Sequence, residues 1–142
     1  MAANSRLLEH LVREYSEPVK DPVWRNISLC PSLLRVVGLP AFQKLHGIRQ
    51  LGPTYLVYPG ATHTRLNHSL GVFHLARRMM MQLIRAAERP SLSLEGVKAF
   101  LCAALLHDLG HYPFAHSLKD LPVASHESLT SRYILGKDFS RI

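Results

Sequence analysis

From Cys102 to His116 the chain reads Cys-Ala-Ala-Leu-Leu-His-Asp-Leu-Gly-His-Tyr-Pro-Phe-Ala-His, an apolar run that ends in one carboxylate and three imidazoles. Ordinary core packing does not require so many ligand-type side chains. With residues 102–106 buried, Asp108 adjoins a low-dielectric interior, where an uncompensated carboxylate costs several kcal/mol or stays protonated. A divalent cation beside it, with His107 adjacent, would balance the charge. His107 and Asp108 stand about 100° apart around a helix axis, so both can lean toward one ion. A third ligand must come from elsewhere, and His68, at the start of a long helix and beside a mostly apolar face, is the best candidate. Imidazole with carboxylate suits Fe, Mn, Zn, Ni or Mg, and spacing does not choose among them. Such an ion with an open position can activate a water and polarise a phosphoryl oxygen.

Each of these residues also has a plainer reading. A single histidine on an apolar face is more often a satisfied core residue, so His68 gains its weight from the adjacent His107-Asp108 pair. His111 and His116 flank Pro113 and could cap helices or lie on the surface. His126-Glu127 alone is a helix start, with Glu favoured in the first turn by the helix dipole.

Helices must position these groups. Residues 5–15 carry Leu7, Leu8, Leu11 and Val12 at helical spacing. Glu17 to Pro22 reads as a linker, and Asp21 to Ser28 leads into a helix over 32–37 that Gly38-Leu-Pro40 stops. Pro40 suits the first turn of a helix over 41–50. Tyr55 to Tyr58 reads as a brief extended run, followed by the turn dipeptide Pro59-Gly60. The long helix covers residues 65 to about 89, with Leu70, Phe73, Ala76, Met80, Leu83, Ile84 and Ala87 on one face. His74 shares the opposite face with Arg78 and Arg85 and is assigned to solvent. Ser93 is an N-cap candidate for a helix over 94–109, apolar nearly all round and therefore central. Gly110 suits the left-handed position that closes a helix, and Pro113 opens a short one over 114–121 carrying His116. The last helix covers 126–135 and ends at Gly136. The fold class is all-α, a helical bundle with room for one tiny β-hairpin.

A length of 142 residues, 47% hydrophobic and 19% charged, suits one compact domain. We take residues 1–20 as an N-terminal helix and linker and 21–142 as the domain proper. The apolar stretch Phe100 to Leu106 falls far short of the roughly 20 residues that span a bilayer, and no signal-peptide pattern follows Met1. A cytoplasmic protein without a membrane partner is expected. Cys30 and Cys102 form no CxxC, so neither a zinc finger nor a disulfide framework is indicated, and both thiols are expected reduced and buried. The net charge of +7 is scattered rather than blocked, which favours a polyanionic ligand, either nucleotide phosphates or nucleic acid.

Two longer motifs resemble a known family. Tyr58-Pro-Gly-Ala-Thr-His-Thr-Arg-Leu-Asn-His-Ser-Leu-Gly-Val72 and His107-Asp-Leu-Gly-His-Tyr-Pro-Phe-Ala-His-Ser117 are similar to the HD-domain superfamily of metal-dependent phosphohydrolases, closest to its deoxynucleoside triphosphate triphosphohydrolase branch. Pro40 to Gly52 resembles that branch as well. The resemblance implies a helical bundle, commonly oligomeric, that releases a deoxynucleoside and intact tripolyphosphate. It makes His68, His107 and Asp108 metal ligands and places His111, His116, His126 and Glu127 on the phosphate side. His126 and Glu127 would serve proton transfer and water activation, with His116 near the α-phosphate or leaving group. Gln50, Leu51 and Arg65 match residues that hold sugar, base and phosphates.

The match departs from the family in two places. Members carry a fourth ligand, an aspartate well downstream of the His-Glu pair, whereas Asp120 and Asp138 lie too early, so the chain is expected to be incomplete at its C-terminal end. Lys119 stands where the family often has an acidic residue. The alternatives to a triphosphohydrolase are another HD nucleotidase or phosphodiesterase, or a non-catalytic domain that binds nucleotides or single-stranded nucleic acid.

Overall fold

The computed structural model describes residues 2–86, 92–114 and 121–136. In chain order they form α1 (Ala2–Arg13), β1 (Glu17–Asp21), β2 (Arg25–Leu29), α2 (Pro31–Gly38), α3 (Pro40–Gln43), 3-10 turns at Lys44–Gly47 and Gly52–Leu56, α4 (Arg65–Ala86), α5 (Leu94–Leu106) and α6 (His126–Ile134). The all-α class holds, with a single two-stranded hairpin among the described residues. No helix of the described residues is long and apolar enough to cross a membrane. The chain divides into two compact units. One comprises the segment up to Leu34 and Leu70–Leu105; the other comprises Arg35–Ser69 and the chain from Leu106 on.

In the first unit Leu7, Leu11 and Tyr15 are buried with Phe73, Ala76, Met80 and Ile84 of α4 and with Val97, Leu101 and Leu105 of α5. Arg77 on α4 donates to the Leu11 carbonyl from both Nε (3.0 Å) and Nη2 (2.5 Å), taking up an acceptor that the end of α1 leaves open. The segment read as a linker is instead β1, paired antiparallel with β2 from Glu17↔Leu29 to Asp21↔Arg25. Its turn is made by Asp21, whose Oδ1 accepts from the Val23 and Trp24 N–H groups at 2.8 and 2.9 Å, and by Arg25 at φ 62°. Pro22 falls in the turn itself, where it breaks no ladder bond.

Within the hairpin turn, Trp24 lies 5.1 Å from the His74 ring, so His74 is half-buried rather than in solvent. Gly71 makes room for it, since a Cβ there would lie 3.0 Å from the indole Nε1. Three other expectations give way in this unit. Leu83 is half-exposed, in one row with Leu75 and Met79 at the edge of the buried stripe, and α5 exposes Phe100 and Ala103 instead of being covered all round. Cys30 and Cys102 are free thiols, half-buried rather than fully buried.

The second unit buries Val36, Val37, Ala41, Phe42, Leu45 and Ile48. The helix expected over 41–50 stops at Gln43 and tightens to 3-10, because Ile48 turns extended at φ −109° and ψ 113°. From there the backbone pairs with the lead-in to α4: Arg65 N–H donates to the Ile48 carbonyl (2.8 Å) and Gln50 N–H to that of His63 (3.0 Å). Residues 52–56, read partly as extended, form a 3-10 turn that opens on Gly52 at φ +54°. Residues 115–120, with the expected helix over 114–121, lie outside the described residues, as does the stretch 87–91 at the end of the long helix.

Candidate metal centre and active site

All the described site residues lie in the second unit. Arg65 and His68 occupy the first turn of α4, which starts where it does because Thr64 and Asn67 form a reciprocal cap. Thr64 Oγ1 accepts from the Asn67 N–H at 3.3 Å, and Asn67 Oδ1 accepts from the Thr64 N–H at 3.2 Å and its hydroxyl at 2.8 Å. His107 and Asp108 do not sit inside α5 as expected but in the turn after it. The ladder ends at Leu106, and the N–H groups of Leu109 and His111 bond three residues back, to the carbonyls of Leu106 and Asp108. His126 and Glu127 open α6, capped by Ser125, whose Oγ accepts from the Ser128 N–H at 3.2 Å.

Asp108 is the centre of the cluster, its side chain 8% exposed. Oδ2 accepts from Arg65 Nη1 at 2.5 Å and lies 3.8 Å from His68 Nε2. Oδ1 lies 3.4 Å from His107 Nε2 and 3.5 Å from His111 Nε2. The His68 and His107 rings are 5.3 Å apart, and the His111 ring stacks on His126 at 3.9 Å and 15°. The three expected ligands thus come together: one donor atom each from His68, His107 and Asp108 lies within 4.8 Å of the others. A second group of the same kind, Asp108 with His111 and His126, shares the carboxylate. A buried carboxylate faced by neutral-capable imidazoles is a donor set that fits a divalent cation, and the geometry does not favour one metal over another.

Electrostatics agree with that fit. Burial is the largest effect on His68 and lowers its pKa, outweighing the opposing pull of Asp108, which favours the neutral ring a ligand needs. Glu127 is pushed toward the carboxylate form by its own backbone N–H and by Ser125, with His126 contributing; His126 Nε2 lies 3.1 Å from Glu127 Oε1.

The substrate-side residues divide. Gln50 and Leu51 are held beside the start of α4 by the pairing of residues 48–50 with 63–65, Leu51 half-exposed and the Gln50 Oε1 buried with no hydrogen-bond partner among the described residues. Arg65, expected on phosphates, is 1% exposed and bonded to Asp108, while its Nε and Nη2 have no partner among the described residues. His116 lies outside the described residues. Gly110 does not adopt a positive φ. Glycine is required there because a Cβ would lie 2.0 Å from the His126 carbonyl oxygen and 2.4 Å from the Thr130 nitrogen. Thr130, buried on α6, has no signal in the sequence beyond being a polar residue at a core position, yet its hydroxyl bonds to the Gly110 N–H and the His107 carbonyl.

Comparison with known proteins places this arrangement in a family. The family model described as the HD domain matches residues 65–141. The chain is 44% identical over 118 residues to the uncharacterised protein YwfO of Bacillus subtilis, covering 82% of this chain and 27% of that protein. It is 40% identical over 112 residues to the human deoxynucleoside triphosphate triphosphohydrolase SAMHD1, covering 77% of this chain and 18% of SAMHD1. Among solved structures, a phosphohydrolase from Bacteroides thetaiotaomicron superposes with a TM-score of 0.74 at 37% identity, over 82% of this chain and 29% of that one. The chain therefore spans less than a third of the length of these relatives.

Proposed function

The chain belongs to the HD-domain family, and from that premise we propose that it is a metal-dependent phosphohydrolase that splits deoxynucleoside triphosphates into deoxynucleoside and tripolyphosphate. The observation that carries the reading is the buried Asp108 carboxylate with His68 and His107 donor atoms within 4.8 Å. His68, His107 and Asp108 hold the cation, for which Mn, Fe, Mg, Zn and Ni all suit the donor set. When bound, that ion supplies Lewis-acid polarisation of a phosphoryl oxygen and of the attacking water.

The remaining roles belong to the chain. His126 and Glu127, paired at 3.1 Å, accept and return the proton of the water, and His111, stacked on His126, steadies charge developing on the phosphate. His116 serves the leaving group. Arg65, buried against Asp108, contributes its positive charge to the phosphate side from behind the carboxylate, and Gln50 and Leu51 hold the sugar and base. Support for the nucleotide comes from the SAMHD1 relatives, which are named as deoxynucleoside triphosphate triphosphohydrolases, and from the +7 charge. Cytoplasmic location and a homo-oligomeric state belong to the same proposal.

Asp108→Ala tests it. The variant is expected to lose retained divalent metal after dialysis, read by elemental analysis, together with deoxynucleotide turnover; full activity in the variant would overturn the assignment.

A further inference from the structure

Where the α5 ladder has ended, the turn that carries His107 and Asp108 must find other partners for its backbone groups. Two of them go to one side chain. The Thr130 hydroxyl accepts from the Gly110 N–H at 2.8 Å and donates to the His107 carbonyl at 3.2 Å. A hydroxyl has one donor and two lone pairs, so it serves both groups at once. The His107 carbonyl belongs to the peptide that joins His107 to Asp108, so that hydrogen bond acts directly on the orientation of the pair.

Close packing reinforces the contact. Gly110 lies so near α6 that a Cβ would sit 2.0 Å from the His126 carbonyl, 2.4 Å from the Thr130 nitrogen and 2.8 Å from the Thr130 hydroxyl. The turn therefore rests on the backbone of the first turn of α6, the turn whose side chains include His126 and Glu127. Thr130 is 8% exposed, so water does not compete freely for either bond.

We infer that Thr130 is a positioning residue: it clamps the His107-Asp108 turn onto α6 and so sets the donor atoms of His107 and Asp108 against those of His111 and His126. The inference rests on the proposed reading of this cluster as a cation-holding site. Its role is exerted through the backbone of the ligand turn, with no contact to the ion or substrate.

The test loads the 142-residue chain with Co²⁺ and follows the visible d–d absorption during titration. Thr130→Val keeps the shape of the side chain but removes both hydrogen bonds. It is expected to bind Co²⁺ about 10- to 100-fold more weakly, the range for removing an outer-sphere partner, and to shift the absorption bands. Thr130→Ser, which keeps the hydroxyl, is expected to restore both the affinity and the spectrum. Parent-like affinity and spectrum in Thr130→Val would overturn the inference. Should that variant fail to fold, amide exchange in the parent decides: a Gly110 N–H that is protected supports the clamp, and one that exchanges at an unprotected rate overturns it. A parent that takes up Co²⁺ but splits no nucleotide would count against the phosphohydrolase reading and leave this inference standing.

Discussion

Asp108 divides its two oxygens between different tasks. Oδ2 is taken by the Arg65 guanidinium, while Oδ1 faces His107 and His111. Removing one partner of a buried ion pair typically costs about 3–5 kcal/mol, because the other charge is left in a poor medium. Arg65→Gln is accordingly expected to lower the urea midpoint by an amount corresponding to that loss, and an unchanged midpoint would show that Asp108 does not depend on the pair. The adjacency of His107 and Asp108 after an apolar run made this pair legible in the sequence. Arg65 was legible as a site residue but not as a partner of Asp108, since the two are 43 positions apart. Gly110 was recognisable as a special position, yet for left-handed backbone rather than for close approach, a contact no local rule encodes. Thr130 was invisible for the same reason: it works through two backbone groups of a turn 20 and 23 residues away.

At the level of elements, the described residues around Asp108 are placed by helix ends, while Gln50 and Leu51 are placed by the pairing of residues 48–50 with 63–65. The Thr64 and Asn67 cap starts α4 so that Arg65 and His68 fall in its first turn, and Ser125 does the same for His126 and Glu127. Loss of an N-cap costs about 1 kcal/mol, within a range of 0.5–2. Thr64→Ala should lower stability by that amount in thermal or urea unfolding and weaken metal retention through His68; an effect on neither would remove the cap from the account. Helical periodicity located α4, whose buried stripe repeats over several turns, whereas α5 and α6 were located by their boundaries, Ser93 and Gly110 for one and His126 and Gly136 for the other. The one tiny hairpin was expected, but its place was missed because Pro18 and Pro22 read as a linker, although Pro18 occupies a two-stranded edge and Pro22 a turn. The helix expected over 41–50 was cut short by a pairing with residues 63–65 that depends on a distant segment. Residues 114–121, the expected helix of His116, fall largely outside the described region, so that element stays an expectation.

For the whole molecule, ionisation in the first unit ties stability to pH. Burial, reinforced by the neighbouring thiols Cys30 and Cys102, pushes the Tyr15 hydroxyl from 10.0 up to about 12, against a smaller opposing effect of Arg77. The folded state thus holds a proton that the unfolded chain releases near 10. The stabilisation from keeping Tyr15 neutral is complete below that pH and disappears as pH rises through about 12. A tyrosinate absorbance titration should show one of the five tyrosines lagging the others, with unfolding setting in as it ionises. Joint titration of all five near 10 would contradict the buried environment. Composition was informative on this scale only in part: +7 pointed to a polyanion, but the choice of nucleotide over nucleic acid came from the motifs. The measurement that reaches the centre of the account is anion-exchange separation of products after incubating the chain, with Mn²⁺ and separately with Mg²⁺, with ribo- and deoxynucleoside triphosphates. The expected result is metal-dependent release of tripolyphosphate and free deoxynucleoside; orthophosphate, a nucleoside monophosphate, or no product with either metal would contradict it.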